Sequence, residues 1–355
     1  APLLHRIRGY ALAALGDHGA ADAALADALE AARSRHADYD IALTLLARGD
    51  IARLRGAEAD AELAAAGITT VFDAITLGGD TGPKIREQAY LDAITSLSDA
   101  QAQDLFRAQH HLHYRCELGS PRLEEQLTIA VRRGVPRLIS LMEHVPGQGQ
   151  WLDVDRFRQY YSRRYGLGPE EIEALSARRK YEQARFSSAN RQRVAEFARS
   201  HYCTLASHDD AGAGDVERAR RDGCTICEFP TSLEAARTAR DFGMRVVAGA
   251  PNLVRGGSHS GNVAAELLGQ EGLIDILSSD YCPSSLLHGV FCLARNGSIP
   301  LHRAVATVST IPAAVMKFDD RGSIVEGKRA DLIRVRETAS GPAVVAAWSA
   351  GRQIA

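Results

Sequence analysis

Four apolar runs in this chain end in a side chain that can bind a metal ion or transfer a proton. The four residues are Glu117, His144, His208 and Asp280. If the runs are parallel strands of one sheet, their carboxyl ends meet on a single face, where barrel enzymes carry their catalytic groups. Imidazole and carboxylate groups gathered there are ligands for a divalent metal ion. A lone histidine at a strand end is more often structural, but four such groups in one register favour a metal site.

A glycine-containing loop predicts a place for an anion. It covers residues 252–259 and precedes a predicted helix over 261–268. Glycines let the backbone approach a phosphate closely, and the amides at the start of a helix favour negative charge. The expected substrate contacts in this loop are Arg255, Gly256, Gly257, Ser258 and His259. Glycine loops are common, so this interpretation depends on the strand before the loop and the helix after it.

Beyond residue 57 the hydrophobic pattern alternates between strand-length apolar runs and helical spacing. The predicted strands cover residues 68–75, 113–118, 137–144, 202–208, 225–229, 245–249 and 274–280. Strands separated by helices are typical of a parallel sheet. The predicted fold class is therefore α/β, with seven strands of a (β/α) barrel, one short of the eight that close it.

Residues 1–56 differ from the rest of the chain. They are rich in Ala, Leu and Arg and keep helical spacing without strand-like alternation. They predict an α-helical segment similar to tetratricopeptide hairpins, too short to be stable without neighbouring repeats. Such a segment is a candidate surface for a protein partner or for a second copy of the chain.

An insertion over residues 151–200 lies between two of the predicted strands. From residue 156 to residue 199 it holds ten Arg and one Lys against five Glu, a local charge of +6. One interpretation is a solvated helical lid. The other is a cationic cover over a polyphosphate, because arginine pairs with phosphate in a bidentate manner.

Three stretches, residues 205–210, 249–262 and 275–283, resemble the α-D-ribose 1-methylphosphonate 5-triphosphate diphosphatases of the amidohydrolase superfamily. The resemblance extends from about residue 58 to the C-terminus. It implies a TIM-like amidohydrolase barrel over residues 57–321 and, over 322–355, a small β segment of an accessory sandwich. Relatives carry a histidine metal motif on their first strand. Residues 1–57 hold no match to it, so the expected barrel lacks that strand and its ligands.

The resemblance also implies roles for single residues. It makes Asp280 the catalytic base or bridging carboxylate, His208 the metal ligand of the fifth barrel strand, and Glu117 a ligand on the third. Asp209 and Asp210 follow His208 directly, so they either orient its ring or cap a turn. Gln148 lies in a loop that is expected to contact sugar hydroxyls.

The implied activity is that of a metal-dependent hydrolase that releases diphosphate from α-D-ribose 1-methylphosphonate 5-triphosphate in phosphonate catabolism. Its cofactor would be a divalent metal ion such as zinc or manganese. Two alternatives stay open at this point. One is a catalytically impaired scaffold, since the first-strand ligands are missing, and the other is an amidohydrolase that acts on a cyclic amide or an acetamido sugar.

The composition excludes several other classes of function. The 355 residues carry a net charge of −2 and have a pI of about 6.7, so a nucleic-acid or membrane-surface partner is not expected. Six cysteines, mostly inside apolar runs, are predicted to be reduced thiols. With neither a signal peptide nor an apolar run of membrane-spanning length, the expected location is the cytoplasm.

Overall fold

The computed structural model describes residues 5, 8, 11–12, 17–33, 59–79, 89–257, 262–295 and 299–355. Seven strands form one parallel sheet in which each strand pairs with the next in chain order. These strands are β1 (Thr70–Leu77), β2 (Gln109–Glu117), β3 (Leu138–Met142), β4 (Thr204–His208), β5 (Ile226–Glu228), β6 (Arg245–Gly249) and β7 (Ile276–Ser278). The seven predicted strands and their parallel arrangement are therefore confirmed.

Helices follow the strands and cover the outer face of the sheet, as the alternating pattern predicted. The helices that precede β7 are α1 (His18–Arg33), α2 (Ala89–Ala102), α3 (Leu123–Val131), α4 (Val154–Tyr165), α5 (Pro169–Ser200), α6 (Ala213–Asp222), α7 (Leu233–Asp241), α8 (Ala250–Arg255) and α9 (Ala265–Gln270). Those that follow it are α10 (Ser285–Arg295), α11 (Leu301–Ala306) and α12 (Thr310–Val315). In the part of the chain that the structure describes, no helix is both long and apolar enough to cross a membrane.

Two apolar cores hold the curled sheet. The outer core lies between the sheet and its helices and includes the fully buried Tyr114 and Leu293. The inner core fills the amino-terminal half of the barrel, where Ala206, Ile226 and Val247 pack with residues of α12 and the segment that follows it. Toward the carboxyl ends of the strands, polar residues such as Arg115 and His208 line the interior instead.

The sheet is an open half-barrel over the described ranges. There, β1 pairs only with β2, and β7 pairs only with β6. This agrees with the expectation that the first strand of the usual barrel is missing. In the N-terminal region α1 is helical as predicted, and its Ala21 and Leu25 pack with Leu12. The tetratricopeptide resemblance and a partner for residues 1–56 stay predictions, since most of that segment lies outside the described residues.

The insertion and the C-terminal segment have the expected secondary structure. The insertion forms α4 and α5, where Asp153 caps α4 by accepting from the amides of Asp155 and Arg156. The C-terminal segment forms a separate antiparallel sheet of β8 (Leu332–Thr338), β9 (Gly341–Ser349) and β10 (Arg352–Gln353).

Candidate functional site

Two histidines and an aspartate meet at the carboxyl end of the sheet. His144 follows β3, His208 ends β4, and Asp209 comes directly after it. The Nε2 atom of His144 is 3.6 Å from Oδ2 of Asp209, and the Nε2 atom of His208 is 3.5 Å from the same oxygen. The three potential ligand atoms all lie within 4.8 Å of one another. Two imidazole nitrogens and one carboxylate oxygen are a donor set that suits a divalent transition metal.

A glutamate holds the far side of each imidazole ring. Glu117, the last residue of β2, accepts from Nδ1 of His144 at 2.7 Å and from its backbone amide at 3.0 Å. Glu228, the last residue of β5, accepts from Nδ1 of His208 at 2.7 Å. Hydrogen bonds of this kind fix the orientation of a ring whose other nitrogen binds a metal. Both Nε2 atoms are thereby directed at Asp209.

The acidic groups and the histidines of this cluster shift the pKa values of one another. Burial alone would lower the pKa of His144, but the carboxylates of Glu117 and Asp209 outweigh it and raise that pKa to about 9. Burial would raise the pKa values of the acids. His144 nevertheless keeps the pKa of Glu117 below its usual value, and His208 does the same for Glu228 and Asp209. All three carboxylates are therefore charged at neutral pH and attract cations.

Asp209 reaches this position through an unusual backbone conformation. Its φ is 56°, in the left-handed region that residues with a β-carbon seldom adopt. The same conformation occurs just beyond β5, at Phe229, and just beyond β7, at Asp280. The amide of Asp209 donates to the carbonyl of Glu228 at 3.0 Å, which anchors the turn to the neighbouring strand. Strain of this kind is concentrated at functional sites.

A cleft of about 340 Å³ opens beside the cluster. His144, His208 and Asp209 line it together with Asp280, Arg115, Arg255 and Asn252. Arg115, which is on β2, donates from Nη2 to Nε2 of His208 at 2.9 Å. Its Nε is buried and, over the described part of the chain, has no hydrogen-bond partner. The cleft thus presents cationic groups next to the candidate metal ligands.

The structure brings most of the predicted site residues to this face. His144 and His208 lie side by side, with ring centroids 5.7 Å apart, and Asp280 lines the same cleft. Glu117 uses both carboxylate oxygens on His144, so its role as a direct ligand stays a prediction. Gln148 lines a neighbouring cavity of about 330 Å³, which also borders His208 and Asp209. Its side chain accepts a hydrogen bond from Gln183 of the insertion.

The predicted anion loop was wrong in its first half, because residues 252–255 belong to the helix α8, and the helix expected over 261–268 begins only at Ala265. Arg255 is the last residue of α8, and Gly256 ends that helix with φ 80°. The guanidinium of Arg255 donates to the carbonyl of Gly257 at 3.2 Å and faces the cleft. Ser258 and His259 lie outside the described residues. A phosphate contact by this loop stays a prediction.

Three residues of the site were not assigned their place by sequence reasoning. Glu228 looks like any acidic residue after a short strand, although it shares its strand-end position with Glu117. Arg115 lies within a strand, where an arginine is not expected to face inward. Asp209 was considered as support for His208, whereas the structure places its carboxylate between the two histidines.

The insertion contacts the site through Arg179 of α5. Its guanidinium donates to the carbonyl oxygen of His144 at 3.2 Å and lies 5.0 Å from the ring centroid of Tyr161. Trp151 and Phe157 are buried in the same aromatic cluster. A cation held between an aromatic ring and a main-chain carbonyl fixes the insertion to the loop that carries His144.

Comparisons with known proteins identify the family of this chain. The model of the amidohydrolase family matches residues 176–355. The α-D-ribose 1-methylphosphonate 5-triphosphate diphosphatase of Escherichia coli (strain K12) is 40% identical over 299 residues, which are 83% of this chain and 79% of that protein. The crystal structure of N-acetylglucosamine-6-phosphate deacetylase from Pasteurella multocida has a TM-score of 0.52 at 13% identity, over 83% of this chain and 78% of that one. A D-hydantoinase structure has a TM-score of 0.42, also at 13% identity, with the same coverage of both chains. The chain therefore belongs to the amidohydrolase family.

Proposed function

We propose that this protein is a metal-dependent hydrolase that releases diphosphate from α-D-ribose 1-methylphosphonate 5-triphosphate, the compound in the name of its relative from Escherichia coli. The observation that supports this most is the cluster of His144, His208 and Asp209 beside a cleft that Arg115 and Arg255 border. A phosphoanhydride substrate is strongly anionic, so it needs both a cationic cleft and an activated water.

The residues divide into three tasks. His144, His208 and Asp209 would hold the divalent ion, which supplies positive charge and Lewis-acid polarisation of a phosphoryl oxygen. Arg115 and Arg255 would bind the other phosphoryl oxygens, since guanidinium groups match phosphate in charge and geometry. Asp280 lines the same cleft, and its carboxylate would accept the proton of the attacking water.

The insertion favours a phosphorylated substrate over a neutral one. Arg179 reaches the carbonyl of His144, and Arg191 lines the neighbouring cavity that borders His208 and Asp209. Neutral substrates such as cyclic amides gain little from these charges. We further propose that the protein acts in the cytoplasm, because its described cysteines are free thiols, as expected under reducing conditions.

The direct test is diphosphate release by the full-length chain, first stripped of metal with a chelator and then supplied with zinc or manganese. The expected result is metal-dependent release, which Asp209→Asn lowers by roughly 100-fold or more because it weakens a ligand. Asp241→Asn is the matched control, since Asp241 is exposed at the end of α7. Full activity in Asp209→Asn would contradict the proposal. So would hydrolysis of cyclic amides or acetamido sugars without diphosphate release from the triphosphate.

A further inference from the structure

A chain of hydrogen bonds crosses the inside of the barrel and ends at His208. Nε2 of His113 on β2 is 2.7 Å from Oγ of Ser140 on β3, which donates to Oε2 of Glu228 at 2.7 Å. The same oxygen of Glu228 accepts from Nδ1 of His208, again at 2.7 Å. Ser140 is fully buried and His113 is 4% exposed. Four strands therefore contribute one polar residue each to a line that runs from the buried interior to the edge of the cleft.

The chemistry of the groups decides the direction of every hydrogen bond in this line. A charged carboxylate can only accept, so Ser140 and His208 both donate to Glu228. The hydroxyl hydrogen of Ser140 is then used, so its oxygen accepts from Nε2–H of His113. Burial lowers the pKa of His113 to about 4, which keeps that ring neutral at pH 7 with one nitrogen as donor.

An independent contact at the other end requires the same arrangement. Arg115 donates from Nη2 to Nε2 of His208, and a guanidinium has no lone pair to offer. Nε2 of His208 must therefore be an acceptor and Nδ1 must carry the hydrogen. Both ends of the line thus require the same tautomer of His208, with its Nε2 lone pair facing the cleft.

We propose that His113 and Ser140 are positioning residues, which hold Glu228 so that it keeps His208 in the Nδ1–H tautomer with Nε2 directed at the site. The inference deepens the proposed function, since it concerns the same site. Ser140 supplies one of the two donors to Oε2 of Glu228. Without it, this buried carboxylate loses a partner and the ring of His208 loses a fixed support.

The test measures the tautomer of His208 by NMR in the full-length, metal-free protein labelled with ¹⁵N-histidine, with assignment by His208→Gln. The expected spectrum at pH 7 shows a protonated Nδ1 and an unprotonated Nε2. In Ser140→Ala the His208 signals should shift toward a mixture of tautomers. Zinc affinity, measured by calorimetry, should fall by roughly 10- to 100-fold, as for other residues that support a ligand.

Ser349→Ala is the matched control, because Ser349 is buried on β9 and accepts a hydrogen bond from Arg329 far from His208. It should lower stability while leaving the His208 signals and the zinc affinity unchanged. The proposal is overturned if Ser140→Ala behaves like this control. If Ser140→Ala does not fold, the unsubstituted protein decides, because a protonated Nε2 on His208 would overturn the proposal there. None of these readouts depends on diphosphate release, so failure of the proposed substrate would be recognised separately.

Discussion

The buried imidazole of His113 should make the protein sensitive to acid. Burial lowers its pKa from 6.5 to about 4, because the charged form has lost its water and the nearby carboxylate of Glu228 does not offset that loss. In the unfolded chain the same ring takes up a proton near pH 6.5. A base whose pKa is lower in the folded state contributes stability above the unfolded pKa, and that stability is lost as the pH falls.

The size of the effect follows from the shift. One pKa unit corresponds to about 1.36 kcal/mol, so a shift from 6.5 to about 4 corresponds to roughly 3 kcal/mol when both states have titrated. The loss begins near pH 6.5, grows by at most about 1.4 kcal/mol per pH unit, and is complete below pH 4. Solvent screening does little to reduce this change in stability, because the His113 side chain is almost fully buried.

The measurement is urea unfolding of the wild-type chain and of His113→Gln between pH 7 and pH 4.5, without metal. Glutamine can still donate to Ser140 but cannot take up a proton in this range. We expect the wild-type chain to lose roughly 2 to 3 kcal/mol more than the variant over this interval. His201→Gln, at an exposed position on the surface, is the control and should follow the wild-type curve. Parallel curves for wild type and His113→Gln would refute the reasoning.

Three further substitutions test the packing around the site. Tyr114→Phe removes a hydroxyl that donates to a main-chain carbonyl at 2.7 Å, so the free energy of unfolding should fall by about 1 kcal/mol. An unchanged free energy of unfolding would mean that this hydrogen bond does not stabilise the fold. Arg191→Met leaves Glu143 and Asp222 without their shared cation and should lower the free energy of unfolding by roughly 3 to 5 kcal/mol. An unchanged urea midpoint would contradict this prediction. Gly78 has a φ of 78°, and Gly78→Ala places a Cβ 2.9 Å from a carbonyl oxygen, so the free energy of unfolding should fall by more than about 1 kcal/mol. A neutral or stabilising effect would show that the turn relaxes freely.

The strands and the two histidines were predictable from local pattern. Short apolar runs between helices are typical of buried parallel strands, and the side chain that closes such a run lies at the functional end of the sheet. His144 and His208 both stand at that position, as does Glu117. This argument needs no distances, because the topology alone brings the strand ends together. It therefore predicts which residues share a face but not which of them touch.

The contacts within the site depend on tertiary structure that no local pattern contains. Asp209 faces both histidines only because its backbone adopts a left-handed conformation that a hydrogen bond to β5 stabilises. In an extended conformation its side chain would point away from His208, as successive residues of a strand do. The contact between Glu117 and His144 also depends on tertiary structure, because it follows from the pairing of β2 with β3. Sequence reasoning could name these residues without assigning each to the ring it holds.

Strand β2 shows why the inner side of the barrel was missed. Alternate residues along it point to opposite faces, so His111, His113, Arg115 and Glu117 share one face. In an ordinary sheet a polar face of this kind meets solvent. Here the barrel curls that face inward, and Tyr114 of the opposite face packs in the outer core. Other strands of the sheet supply hydrogen-bond partners, Ser140 for His113 and His208 for Arg115, and Ser140 in turn donates to Glu228. Nε2 of His111, by contrast, is buried without a partner among the described residues. A polar stripe on a strand that must lie within a parallel barrel is therefore evidence for an internal hydrogen-bonded network, and in this chain that network leads to the candidate metal ligands.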